Sequence, residues 1–411
     1  MGAADDIETP VYTPLNITFR VGAFPKLSET FVLSQVAGMI ARGHRVSILA
    51  DRRPASNEAG VMPEGLASVD YLEPASSSFA ALIARLPYRV RRARIARAER
   101  RMCGSTDVVI CNFGWFGAQV VESTASIARR AKVVTIFHGD DMSRSLKGAP
   151  SDVYDQLFAL GDLHLPISEL WKSRLIEMGA PTDRVQVHRM GVQVDDFAYQ
   201  PRTPSPSQAF KLVTVCRIVE KKGVEYALTA LAALKGAAPD LALELDIIGN
   251  GPLREHMEQL ASTLQIEDRV RFLGQLPNVE VAERLRNADA FLLPSVVAAD
   301  GDMEGIPVAL MEAMASGLPV ISTRHSGIPE LIEHGVSGVL ADERDVDGLA
   351  EQIRFVAETP HARSQMAETA RKVVEERFNT ERLNDRLDAV VRELVSEAAV
   401  ATHQTPKTQV S

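Results

Sequence analysis

Two glutamates, Glu304 and Glu312, stand eight positions apart in "DGDMEGIPVALMEAMASGLPV", residues 300–320. Between them runs "GIPVALM", an apolar stretch opened by a glycine and a proline. Pro307 suits the first turn of a helix, where an N–H would have no intrahelical partner. The amides of Val308, Ala309 and Leu310 then become unpaired N-terminal donors, a site for an anion. Glu304 would precede this helix and face a cleft; Glu312 would lie about one turn beyond Val308. One carboxylate thus falls on each side of a bound phosphate. Ionised carboxylates only accept hydrogen bonds, so hydroxyls are their natural partners. A sugar nucleotide has hydroxyls in both places, on the sugar beyond the β-phosphate and on the ribose before the α-phosphate. Either glutamate alone would read as an acid against a helix dipole or a solvated side chain.

Positioning such a pair needs a strand ending at a loop that runs into a helix, and the chain repeats that rhythm. Strand candidates in the first half are 15–24, 44–50, 107–114, 132–139, 163–168 and "RVQVHRMGV" (184–192). In the second half they are 211–218, 241–249, 269–274, 290–295 and 319–324. Helical periodicity fills gaps at 30–42, 223–235, 253–264, 279–288 and 345–358. Continuously apolar strands separated by helices imply parallel sheets covered on both faces. Right-handed crossovers then give two doubly wound, Rossmann-like α/β domains. "YQPRTPSPSQAF" (199–210) reads as the linker between a domain at 1–198 and another at 211–379. A last helix at 380–399 is expected to pack back on the first domain, with 400–411 a disordered tail.

At 411 residues, with 45% apolar and 24% charged side chains, the chain reads as a two-domain globular protein. No apolar run is long enough for a spanning helix, and the acidic start is not a secretory signal. Cys103, Cys111 and Cys216 are scattered, which fits a reducing cytoplasm and no cysteine-based metal site. No GxGxxG or GxxxxGK[ST] opens either half, so a dinucleotide oxidoreductase or P-loop enzyme lacks its phosphate device. Residues 1–200 carry 23 basic against 22 acidic side chains, and the remainder 22 against 32. Eight arginines crowd "ARLPYRVRRARIARAERR" (84–101). With the apolar residues interleaved from 81 onward, this segment suits contact with an anionic membrane surface. Its lack of aromatic stacking signals and the acidic second half argue against nucleic acid.

The segment 300–320 resembles the E-x7-E motif of family 4 retaining glycosyltransferases of the GT-B fold. "CRIVEKKGVEYALTAL", "LDIIGNGPLREHM", "RVRFLGQLPN" and "SGIPELIEHGVSGVL" follow in that family's order. In the first half "FHGDD" resembles its HG-x-D loop and "HRMGVQVDDF" its inter-domain turn. "FPKLSETFVLSQV" departs from the usual Gly-Gly loop and looks most like colanic-acid and amylovoran-type exopolysaccharide transferases. The resemblance implies a nucleotide-sugar donor, UDP- or GDP-linked, and a saccharide or polyprenyl-diphosphate-linked acceptor. It implies an enzyme at the cytoplasmic face of the membrane that needs neither metal nor cofactor.

By that resemblance Arg217 and Lys222 neutralise the leaving diphosphate, and His138 contacts the donor sugar. Glu304, Gly305, Ile306, Val308 and Ala309 hold the donor, Glu312 the ribose and Leu276 the nucleobase. Ser28, Glu29 and Asp140 fall on the acceptor side. "DGD" (300–302) reads as a loop feature rather than a metal pair. His44 reads as structural. A nucleotide-sugar epimerase of similar fold and a non-catalytic sugar-nucleotide sensor remain open alternatives.

Overall fold

A computed structural model describes residues 13–56, 58–73, 85–127, 131–199 and 209–403. The first sheet holds β1 (Asn16–Ala23), β2 (Arg45–Arg52), β3 (Ser68–Tyr71), β4 (Val108–Asn112), β5 (Lys132–Phe137) and β6 (Leu163–Pro166). The second holds β7 (Phe210–Val215), β8 (Leu243–Ile248), β9 (Val270–Gly274), β10 (Ala290–Leu293), β11 (Val320–Thr323) and β12 (Val339–Ala341). Their spatial orders are β3-β2-β1-β4-β5-β6 and β12-β11-β10-β7-β8-β9, with every pairing parallel. Counted within its own half, each sheet has the doubly wound order 3-2-1-4-5-6. In both, the strand order reverses where the first strand meets the fourth, and ligands bind beyond the carboxyl ends there. β4 and β10 are buried at every position, as central strands under helices on both faces must be.

Two short strands, β3 and β12, were not among the sequence candidates. With four and three residues, they carry too little pattern to read. Conversely, 184–192 is not a strand. It runs beside β6 through the His164–Val185 bridge and through the amides of Gln186 and His188, which donate to His164 O and Pro166 O, without a full strand's ladder, and then leaves the sheet. Its apolar residues divide between the cores: Val185 belongs to the first and Val192 to the second. The chain therefore joins the second core before the proline-rich 199–210, of which 200–208 lie outside the described residues. Val192 hydrogen-bonds Phe378 and Thr380 as the chain returns, so the two crossings lie side by side.

The helix Thr380–His403 runs beyond the expected 399. Leu387 and Val391 sit in the first core. His44 is buried beneath this helix, its Nδ1 accepting from the Leu15 amide at 3.1 Å and its Nε2 2.5 Å from Asp388. The rest of the expected tail, 404–411, lies outside the described residues. No described helix is long and apolar enough to cross a membrane.

Candidate active site

β10 ends at Leu293, and the chain then loops through Asp300–Asp302 to Glu304. Glu304 is 7% exposed. Its Oε2 lies 3.0 Å from Lys222 Nζ, and its Oε1 3.7 Å from Lys221 Nζ. Burial works to raise this carboxyl's pKa, but Lys222 and Lys221 outweigh it and hold the group below the usual glutamate range. Oε1 is buried with no hydrogen-bond donor, an acceptor left open for a ligand hydroxyl.

Pro307 caps the helix Val308–Ala315. The expectation of three open amides is corrected here: Leu310 N–H already bonds Pro307 O at 3.1 Å, a tightened first turn. The open amides are thus narrowed to those of Val308 and Ala309. Ile306 is buried in the second core, so only its backbone can serve a ligand. Glu312 follows on the same helix. Burial alone pushes its carboxyl up.

The cations come from the carboxyl end of β7, the strand beside β10. Arg217 is exposed and has no ion-pair partner among the described residues. Lys222 is reached through a one-turn 3-10 helix, Glu220–Lys222, closed by Gly223 at φ +65°. A Cβ on Gly223 would lie 1.8 Å from Pro294 O, so only glycine permits this turn against the end of β10. Lys221 joins Lys222 at the site and also pairs with Asp302 at 3.0 Å. The "DGD" loop therefore spends Asp302 on a cation. Leu276 packs on the second core just past β9.

His138 arrives from the first domain, at the end of β5. It is buried, and burial with nearby His188 lowers its pKa to about 3, so it is neutral at physiological pH. Nε2 is 3.0 Å from Asn112 Oδ1, and the Asn112 amide nitrogen donates to Gln35. That network puts the proton on Nε2 and leaves Nδ1, buried and unpartnered, as an acceptor. Phe31 and Phe113 pack on the ring at 4.5 and 4.6 Å. Gly139 brings this loop onto the Glu304 loop: a Cβ there would be 3.0 Å from Met303 O and 3.2 Å from Gly305 N. The two halves thus place His138 and Glu304 in adjoining loops.

Residues 28–196 match Glycosyltransferase Family 4, and residues 195–373 match Glycosyl transferases group 1. A Salmonella typhimurium protein provisionally named the colanic acid biosynthesis glycosyltransferase WcaL is 37% identical, over 92% of this chain and 100% of its own. This chain is a family 4 glycosyltransferase. The amylovoran biosynthesis glycosyltransferase AmsK of Erwinia amylovora is 37% identical over 89% of this chain and 96% of its own. In fold, the transferase matches Anabaena HepE, solved in complex with UDP, at TM-score 0.70 and 18% identity, over 92% of this chain and 100% of that one.

Two of the residues expected on the acceptor side are already paired. Glu29 is taken up by Lys26 at 2.7 Å, and Asp140 by Arg144 at 2.9 Å. Ser28 is exposed. Asp141, one residue on, is fully buried and accepts from the amides of His138 (2.8 Å) and Gly114 (2.6 Å). It fixes the His138 loop against the end of β4.

Sequence reading passed over His325, just past the end of β11. Its Nε2 accepts the Glu304 amide at 3.0 Å, and its Nδ1 lies 2.6 Å from Glu343 Oε1. Glu343 thereby fixes the tautomer, and Ser326 Oγ holds the Glu304 carbonyl at 2.7 Å. The signal was the one that picked out His138, a histidine followed closely by glycine at a strand's carboxyl end. His325 is a positioning residue, acting through the Glu304 backbone. His325→Ala should lower kcat about tenfold, roughly 1.4 kcal/mol of barrier, with nucleotide diphosphate affinity held. His325→Asn should restore part of the loss. Steady-state kinetics beside a binding titration checks this, and equal losses in kcat and affinity would contradict it.

Proposed function

We propose that the enzyme moves a hexose-type sugar from a UDP- or GDP-linked donor to a saccharide or lipid-linked saccharide, with retention, in building an extracellular polysaccharide. One observation carries this reading: Glu304, whose Oε1 has no hydrogen-bond donor, and the half-buried Glu312 flank the open amides of Val308 and Ala309. Those amides suit a phosphate, and the carboxylates suit hydroxyls on either side of it. The relatives' names, colanic acid and amylovoran biosynthesis, support the pathway. HepE's complexes with UDP and UDP-glucose support the donor class.

In this mechanism Arg217 and Lys222 stabilise charge growing on the diphosphate as the C–O bond loosens. Glu304 Oε1 holds a sugar hydroxyl. The acceptor hydroxyl approaches on the leaving-group face and passes its proton to the departing phosphate oxygen. Glu304 is not assigned as a covalent nucleophile, since retaining hydrolases set two carboxyls about 5 Å apart across the reacting carbon, and Glu312 is assigned to the ribose.

Fixed cations take the role a metal would otherwise have. Turnover should therefore continue in excess chelator, and Arg217→Ala should fall chiefly in kcat. Activity lost to chelator and regained with Mg²⁺ or Mn²⁺ would overturn this reading.

Membrane docking rests on the helix Tyr88–Ser105, with 81–84 outside the described residues. Arg89, Arg97 and Arg101 are exposed without ion-pair partners among the described residues, whereas Arg92 is tied to Glu122 at 2.6 Å. Each free arginine near an anionic leaflet contributes about 1 kcal/mol. The protein should sediment with phosphatidylglycerol vesicles at low salt, and Arg89, Arg97 and Arg101 changed together to Gln should release it. Equal binding to neutral vesicles would count against docking through charge.

A further inference from the structure

A cavity of about 720 Å³ lies in the first domain between the helix Tyr88–Ser105 and the loop that follows His138. It takes lining from just beyond β3 (Leu72) and β4 (Trp115), so it opens at the same carboxyl edge of the sheet that presents His138. Its walls are of two kinds. Tyr88, Ile95, Trp115, Leu146 and Val153 make an apolar side, on which Tyr88 is 70% and Val153 37% exposed. Opposite chemistry comes from Arg91 and Arg94, both exposed.

The charges around the cavity leave these two arginines in excess. Asp51 pairs with Arg20 at 2.6 Å, and Glu122 with Arg92 at 2.6 Å. Glu73 is the remaining lining carboxylate. Arg91 and Arg94 have no ion-pair partner among the described residues, and at i and i+3 they lie on one helix face. Two guanidiniums so placed match a phosphate or diphosphate, while the aromatic and aliphatic wall matches a hydrocarbon chain.

The cavity also connects to the reaction centre. Trp115 stacks on Phe113 at 4.7 Å with a 4° interplanar angle, and Phe113 packs on His138. Phe113 holds φ +85°, an unfavourable value for a side chain of its size, to make that bridge. Leu146 lines the cavity, while its neighbours Arg144 and Lys147 reach the donor loop, Lys147 bonding Ala299 O at 3.0 Å. A single short loop thus separates the cavity from Glu304's own loop.

We infer that this cavity seats the lipid-phosphate end of the acceptor, with Arg91 and Arg94 on the phosphate and Tyr88, Trp115, Leu146 and Val153 against the first units of the lipid. The inference rests on the glycosyltransferase reading above and names the acceptor class for the same site. The donor's diphosphate does not compete for these arginines, because Arg217, Lys221 and Lys222 serve it from the other domain.

Farnesyl diphosphate is a soluble probe, titrated into the full-length protein with UDP or GDP, whichever binds, at saturation to fill the donor site. Trp115 reports on the cavity; the second tryptophan, Trp171, is buried. The expected result is saturable quenching with one probe per chain, absent in Trp115→Phe, and far weaker binding of inorganic diphosphate or farnesol. Arg91→Gln with Arg94→Gln should weaken the probe about a hundredfold, since each lost charge-assisted bond is worth about tenfold or more. Nucleotide affinity should be unchanged, which also shows the variant folded. Displacement of the probe by nucleotide, undiminished binding in the double variant, or inorganic diphosphate binding as tightly as the probe would overturn the inference. Nucleotide binding without probe binding refutes this site alone; absence of nucleotide binding refutes the donor reading instead.

Discussion

Glu304→Gln abolishes sugar transfer, by a factor of about a thousand or more, while nucleotide diphosphate affinity stays within about threefold. The division follows from where each oxygen points. Oε2 is held by Lys222, whereas Oε1 is buried without a hydrogen-bond donor and is the oxygen proposed to meet the sugar. Gln keeps the shape but removes the charge that balances Lys221 and Lys222 and that faces the electron-poor sugar carbon in the transition state. Of the groups proposed for the diphosphate, Val308, Ala309 and Arg217 do not touch Glu304, and Lys222, 3.0 Å from it, keeps its own charge in the variant. The check pairs product formation with a titration of free nucleotide diphosphate. Loss of binding in step with activity would make Glu304 a general scaffold residue rather than one that acts on the sugar.

Glu312→Ala loses nucleotide affinity by about ten- to a hundredfold, the worth of a hydrogen bond to a charged group, roughly 1.5–3 kcal/mol. A pH signature sets this apart from a simple defect. Burial raises the Glu312 pKa, so the ionised form that accepts ribose hydroxyls is depleted as pH falls through that raised value. Nucleotide affinity should fall on the acid side in the wild type and lose that dependence in Glu312→Gln. The stability sign is opposite. A carboxyl whose pKa is raised by folding stabilises the fold at low pH and loses that contribution as pH rises through the folded value. Glu312→Gln should therefore raise the Tm of the ligand-free protein at neutral pH while weakening nucleotide binding. A lower Tm together with weaker binding would indicate a packing role instead.

Much of this architecture was legible because parallel sheets write themselves as apolar runs. β1, β4, β5, β6, β8, β9, β10 and β11 all lie within predicted strands, β7 starts one residue early, and the order of strands and helices implied the doubly wound pair. What escaped has physical causes. β3 and β12 are too short to show a pattern, and 184–192 flanks β6 with too few ladder bonds to form a strand before it crosses into the second core. Glu304 and Lys222 could be named from strand-end positions, yet their 3.0 Å contact depends on Gly223 tucking under Pro294, which spacing does not reveal. Leu310's capped amide and His325's bond to the Glu304 backbone are likewise tertiary facts. The arginine cluster read as one surface, whereas the fold divides it: Arg92 goes inward to Glu122 and Ser123, Arg91 and Arg94 line one cavity, Arg97 and Arg101 line another with Arg94, and Arg89 is exposed.

The central claim is retaining transfer from a nucleotide sugar at the Glu304 site, and the most direct measurement is the anomeric configuration of the product by proton NMR. An α-linked donor incubated with acceptor should yield an α-linked product and free nucleoside diphosphate, with neither formed by Glu304→Gln. A β-linked product would contradict retention. An epimerised donor without acceptor, or nucleotide-sugar binding with no turnover, would contradict transfer itself.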